Sequence, residues 1–98
     1  MELTGKCKED FNNWICITVA KCSKNLCTFE NFYRLNYAAK YGVLVDFFDS
    51  VGIDIEIYTT IHGFDFMIKT NIFKGYFETR AEARTAAIEK ANEIHNNL

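Results

Sequence analysis

The strongest constraint in this chain is a change of period. From residue 53, Ile53, Ile55, Ile57, Thr59 and Ile61 alternate with Asp54, Glu56, Tyr58, Thr60 and His62. A period of two sends one set of side chains to each face of a pleated strand, so 53–61 reads as a half-buried strand. Two more runs keep the period. Phe64, Phe66 and Ile68 alternate with Asp65, Met67 and Lys69 over 64–69, and Phe73, Gly75 and Phe77 alternate with Ile72, Lys74 and Tyr76 over 72–77.

Turn chemistry then suggests a register. With His62-Gly63 as a two-residue turn, Ile61 faces Phe64, Thr59 faces Phe66, Ile57 faces Ile68, and Glu56 faces Lys69 on the opposite side. With Thr70-Asn71 turning the next hairpin, Ile68 faces Phe73 and Phe64 faces Phe77. A one-residue slip would send these phenylalanines to water. The expectation is a three-stranded antiparallel meander with its second strand central. Its outer face would carry Tyr58, Met67 and Lys74 in one row and Thr60, Asp65 and Tyr76 in the next.

Steps of three and four residues mark the helices. Thr79-Arg80-Ala81-Glu82 is a capping box that opens a helix over 80–95, with Ala83, Ala87, Ile88, Ala91 and Ile94 as its buried stripe. A helix over 36–51 is capped by Asn36 and ended by Gly52; its stripe is Tyr37, Tyr41, Leu44, Phe48 and Val51, flanked by Val45 and Phe47. A first helix, about 4–20, starts at Thr4 as N-cap and buries Cys7, Phe11, Trp14, Ile15, Thr18 and Cys22. The β-branched residues near Ile15 leave a strand open as an alternative for 14–20. Residues 21–35 read as a loop. The whole, residues 1–98, is one α+β domain in the order α-α-β-β-β-α, with helices on one face of the meander.

Composition narrows function by exclusion. The net charge is −2, which argues against a nucleic-acid binder dependent on phosphate neutralisation. No apolar run reaches the length of a membrane span, and MELTGKCKEDF lacks the pattern of a signal peptide, so the expected compartment is the cytoplasm. The four cysteines (Cys7, Cys16, Cys22, Cys27) would be reduced there, and their spacing fits no zinc motif. Asp46, Asp49, Asp54 and Glu56 crowd the helix-to-strand junction as a solvated acidic rim rather than a cation site. His62 falls in a turn and His95 near a fraying end, and neither belongs to a catalytic motif. The chain therefore reads as non-enzymatic, with no cofactor and no metal.

The outer sheet face is the remaining candidate site. Tyr58, Met67, Ile72 and Tyr76, interleaved with Lys69 and Lys74, suit a protein partner or a second copy of the chain. Aromatic residues on a small sheet could also stack bases.

Three blocks, MELTGKCKEDF, YGVLVDFFDSVGIDIEI and TRAEARTAAIEKANEI, resemble small proteins encoded by phages and prophages of Bacteroides-like gut bacteria. The resemblance implies a phage-related origin within a bacterial host cell and carries over no functional residue. A looser resemblance is to the α-β-β-β-α order of double-stranded-RNA-binding domains. It implies an alternative nucleic-acid contact through Arg80 and Arg84, which stand where that family places a lysine cluster, although Glu78 and Glu82 flank them here.

Overall fold

The computed structural model describes residues 2–22, 32 and 34–98. Among these the order is helix α1 (Gly5–Cys22), helix α2 (Tyr37–Ser50), strands β1 (Ile55–Thr60), β2 (Gly63–Ile68) and β3 (Asn71–Phe77), and helix α3 (Arg80–Asn96). The strands form one antiparallel sheet in the order β1-β2-β3, so the α+β meander with β2 central is present. Residues 14–20 lie within α1 and are helical.

The faces of the strands are as expected, but the pairing is displaced by two residues. Thr59 faces Phe64, Ile57 faces Phe66 and Ile55 faces Ile68, with the turn at Ile61-His62. A shift of two preserves parity, so the residues that stay in the ladder keep their faces, but Ile61, expected on the inner face opposite Phe64, passes into the turn and is 95% exposed. Gly63 causes the displacement. Its φ is +129°, and a Cβ there would strike the Phe77 carbonyl oxygen, so this glycine is used inside the sheet and not in the turn. The turn is held instead by Thr60, whose hydroxyl accepts from His62 N–H at 3.2 Å. Glu56 consequently faces Met67, and the expected Glu56–Lys69 pair is replaced. Lys69 sits in the next turn with φ +58°.

That second turn is Lys69-Thr70, one residue before the expected Thr70-Asn71. Phe66 faces Phe73 and Ile68 faces Asn71, yet Phe64 still faces Phe77 as expected. A bulge in β3 absorbs the difference, setting Lys74, Gly75 and Tyr76 against Asp65 alone. Asp65 Oδ1 accepts from Gly75 N–H at 3.2 Å and from Tyr76 N–H at 3.0 Å, which supplies the amides that leave the ladder with an acceptor. Phe77 folds its ring over Gly75, where a Cβ would collide with it.

The helices cover one face. α3 packs on all three strands, α2 packs on β1 and α3, and α1 packs on α2 and α3. Ala83, Ala87, Ile88 and Ala91 of α3 are completely buried, and Ile94 is half-buried against the core. Thr79 caps α3, its side chain accepting from Glu82 N–H at 3.1 Å. Phe11 meets Phe47 edge-on at 5.3 Å and Phe32 at 4.9 Å, so Phe32, placed by the sequence in a loop, is a core residue. The rest of that expected loop beyond Cys22, including Cys27, lies outside the described residues apart from 32, 34 and 35, as do the side chains of Thr18 and Cys22.

Asn36 caps α2, accepting from Ala39 N–H at 2.9 Å. Its other end is a Schellman turn: Ile53 N–H donates to the Phe48 carbonyl at 2.8 Å and Gly52 N–H to the Asp49 carbonyl at 3.1 Å, with Gly52 at φ +81°. Ile53 and Phe48 are both fully buried, completing the apolar contact of that motif. Leu44, Phe47 and Phe48 form the buried stripe, whereas Tyr37 and Val51 are exposed. The stripe is rotated toward Phe47 because α1 offers Phe11 and Trp14 on that side.

Thr4 does not cap α1 with its own side chain. Asn96 of α3 does so, accepting from Cys7 N–H at 2.8 Å and donating to the Thr4 carbonyl at 3.0 Å. Asn92, one turn earlier, accepts from Thr4 N–H at 2.9 Å and donates to the Thr4 hydroxyl at 3.1 Å. Gly5 lies beneath them at φ +60°, where a Cβ would press on Asn96. His95 is likewise not at a frayed end: it is 5% exposed and bonds Asp10 at 2.8 Å.

Asn96→Ala removes a cap and strands an N–H, so it should lower unfolding free energy by about 1–2 kcal/mol in urea titration, whereas the exposed neighbour Asn97→Ala should leave it nearly unchanged.

Candidate interaction face

With every described helix on the inner side, the opposite face of the sheet is uncovered among the described residues. Glu56, Met67 and Ile72 form one row across the strands. Tyr58 and Asp65 form the next, which runs into the bulge at Tyr76. The two-residue displacement therefore regroups the expected rows: Met67 stands between Glu56 and Ile72, and Tyr58 stands beside Asp65. Ile72 is 56% and Tyr76 53% exposed, while Tyr58 and Met67 are half-buried.

Asp65 is an exception on this face. The sequence places it on the outer face in a row with Thr60 and Tyr76, but it is 2% exposed because its carboxylate turns toward the β3 bulge. Tyr58 lies across from it, and desolvation, with the Asp65 charge and Tyr76 nearby, raises the Tyr58 phenol above its ordinary pKa. His62, in the first turn, meets the Tyr76 ring edge-on at 5.6 Å.

The four basic candidates do not converge. Lys69 is in the second turn. Lys74 borders an open groove between β3 and α3, with Phe73, Phe77 and Ala86 in its lining. Arg80 lies 5.1 Å over the Phe64 ring and Arg84 lies 5.0 Å over the Tyr41 ring. Both guanidiniums pack on aromatic faces, and Arg84 is half-buried with its Nε inside. Burial raises the Tyr41 phenol, against the opposing charge of Arg84. Tyr37 joins this side of the molecule by donating to the Ala81 carbonyl at 2.6 Å.

Two clusters of reactive residue types have ordinary structural explanations. Cys7, Asp10 and His95 are neighbours, but Cys7 is fully buried and its thiol is pushed up to about 12, first by burial and then by Asp10. A thiol so rarely ionised is a packing group and no nucleophile. Asp49 is raised above its ordinary value by desolvation and by a hydrogen bond and charge from Asp54, with Asp46 adding to it. Among the described residues no group of three His, Cys, Asp or Glu is placed to hold a metal ion, and no helix is long and apolar enough to cross a membrane.

No family model, no curated protein and no solved structure matches this chain.

Two outcomes follow from the shifted groups. At pH 8 a thiol with a pKa of about 12 is ionised in roughly one molecule in ten thousand, so iodoacetamide should label exposed Cys16 in the native protein and Cys7 only after denaturation, as read by peptide mass mapping. A carboxyl whose folded pKa exceeds its unfolded value stabilises the protein below the unfolded value, here 3.8, and loses that contribution as pH rises through the folded value. Asp49→Asn should therefore raise Tm at pH 7, and the gain should disappear as the pH is lowered toward 3.

Proposed function

We propose that the chain is a phage-related, non-enzymatic protein-interaction module that works in the cytoplasm of a bacterial host and binds through the uncovered face of its sheet. One observation carries this reading: Met67 and Ile72 face each other on adjacent strands of a surface that no described helix covers, with Ile72 56% exposed. Tyr58 and Tyr76 flank them. Apolar and aromatic side chains of this kind form the central contacts of protein interfaces, where a few residues supply most of the affinity. Arg84 supports the same reading from the other direction, since it is half-buried with its Nε inside and so is poorly placed to track a phosphate backbone.

The test is a Met67→Gln/Ile72→Thr double variant. It should keep the wild-type melting temperature within a few degrees, because both positions are at the surface. Self-association in sedimentation equilibrium, or retention of a defined protein in quantitative affinity capture from bacterial lysate, should fall by about tenfold or more. Identical retention by wild type and variant, together with a strict monomer, overturns the proposal. Salt-sensitive retardation of duplex RNA would place the contact on nucleic acid instead.

A further inference from the structure

β3 is an edge strand, and no described strand pairs with its outer side. Alternate residues of such a strand turn N–H and C=O groups outward, where the ladder gives them no partner. β1, the other edge, has α2 packed on it, whereas five of the seven β3 residues are exposed. Pairing with β2 is regular from Asn71 to Phe73, before the bulge turns the Gly75 and Tyr76 amides to Asp65. The open template is therefore Asn71–Lys74.

Beside this edge runs the groove between β3 and α3. It consists of two hollows of about 370 and 450 Å³ that share Phe77, Ala86 and Glu89. Phe73 and Phe77 form its strand side. On α3, Glu82, Ala86, Glu89 and Glu93 recur at steps of three and four, on the flank next to the buried alanine stripe. Ala86 leaves the floor open and three carboxylates border it. Lys90 engages one of them, meeting Glu93 at 3.4 Å with its ammonium 5.6 Å over the Phe73 ring. Glu82 and Glu89 are exposed and have no ion-pair partner among the described residues. Lys74 is the other cation, on the strand side, so the lining carries three carboxylates against two ammonium groups.

We propose that this edge and groove together receive an extended, basic segment of a partner protein, added to the sheet beside β3. Its inward-facing residues would place an apolar side chain over Ala86 and Lys or Arg at Glu82 and Glu89. The unpaired backbone selects a strand over a helix, because a helix spends its own N–H and C=O groups internally. Alternation sends every second side chain of the added strand toward the groove. Glu82 and Glu89 are about 10 Å apart along α3, with Ala86 between them. Basic residues two positions either side of an apolar one span about 13 Å, a distance that long side chains adjust to. A second copy of the chain is disfavoured, since an isologous contact would bring the same glutamates of both copies to one seam.

This inference goes beyond the Met67/Ile72 reading, which concerns the opposite face of the sheet, and it is tested separately. The full chain, isotopically labelled on its backbone nitrogens, is titrated with the acetylated and amidated peptide TKTITKT, whose two Lys and one Ile share one face of a strand. The controls are the acidic TETITET and the permuted TTKIKTT, which keeps the composition but puts Lys and Ile on opposite faces. Amide resonances of Asn71–Lys74 and Ala86 should move saturably with TKTITKT, at a Kd on the order of 0.1–1 mM. At saturation, hydrogen exchange of outward-pointing β3 amides should slow about tenfold or more. Both controls should bind about fivefold more weakly or worse. Glu82→Gln/Glu89→Gln alters two exposed side chains, should leave the free protein's amide spectrum otherwise unchanged, and should weaken binding about fivefold or more. The proposal is overturned by the absence of saturable shifts, by equal binding of either control, by undiminished binding in the double variant, or by binding that leaves β3 exchange unslowed. A dimer whose β3 amides are protected without peptide would also overturn it and give the edge to a second copy.

Discussion

The architecture depends on how closely α3 lies against one face of the sheet. Ala83, Ala87 and Ala91 recur every fourth residue and are completely buried, so the helix presents a strip of single methyl groups where it approaches its neighbours. Close approach brings Ile88 into a core with Ile68 and Phe66, and it leaves room for α1 and α2 to dock on α3 from the side. Bulkier residues along that strip would lift the helix and open voids around Phe48 and Ile53. A sheet has two faces, and all described helices are committed to one. The bare face follows from that commitment, and its exposed Ile72 and Tyr76 are the surface left over once the core is closed.

Much of this was legible in the residues, and the parts that were not share a cause. Period two gave the faces of the residues that pair in regular register, because parity survives a shift of two; it failed at Ile61, which the turn takes, and at the β3 bulge. The register did not survive, because a glycine that looks like a turn signal, Gly63, was needed where the backbone of Phe77 comes close. Asn36 and Gly52 were readable as caps because their partners lie within three or four residues. The caps of α1 were not, because they come from Asn92 and Asn96, separated by 88 and 89 positions from the amides they satisfy. His95 and Asp65 were misjudged for the same reason: alternation and helical phase describe a side chain's direction, whereas burial depends on what arrives from elsewhere in the chain.

The candidate face was legible in its membership but not in its arrangement. Tyr58, Met67, Ile72 and Tyr76 do stand on or beside the uncovered surface, yet the bulge separates Tyr76 from any regular row and turns Asp65 from a surface charge into a buried support. Burial changes chemical character in the same way at Cys7, where a thiol beside a carboxylate and an imidazole is held in its protonated form. Arg80 and Arg84 illustrate the converse. Their charge is real, but each guanidinium rests on an aromatic ring, Arg80 on Phe64 and Arg84 on Tyr41.

The clasp of Asn92 and Asn96 on Thr4 and Cys7 also imposes an order on biosynthesis. α1 is synthesised before α3, so its opening turn has no cap until translation has passed residue 96. Until then Phe11, Trp14 and Ile15 have no completed surface to rest on, since α3 is still missing. A nascent chain stalled after β3 would thus display an apolar helix and an open sheet together, a form suited to chaperone capture.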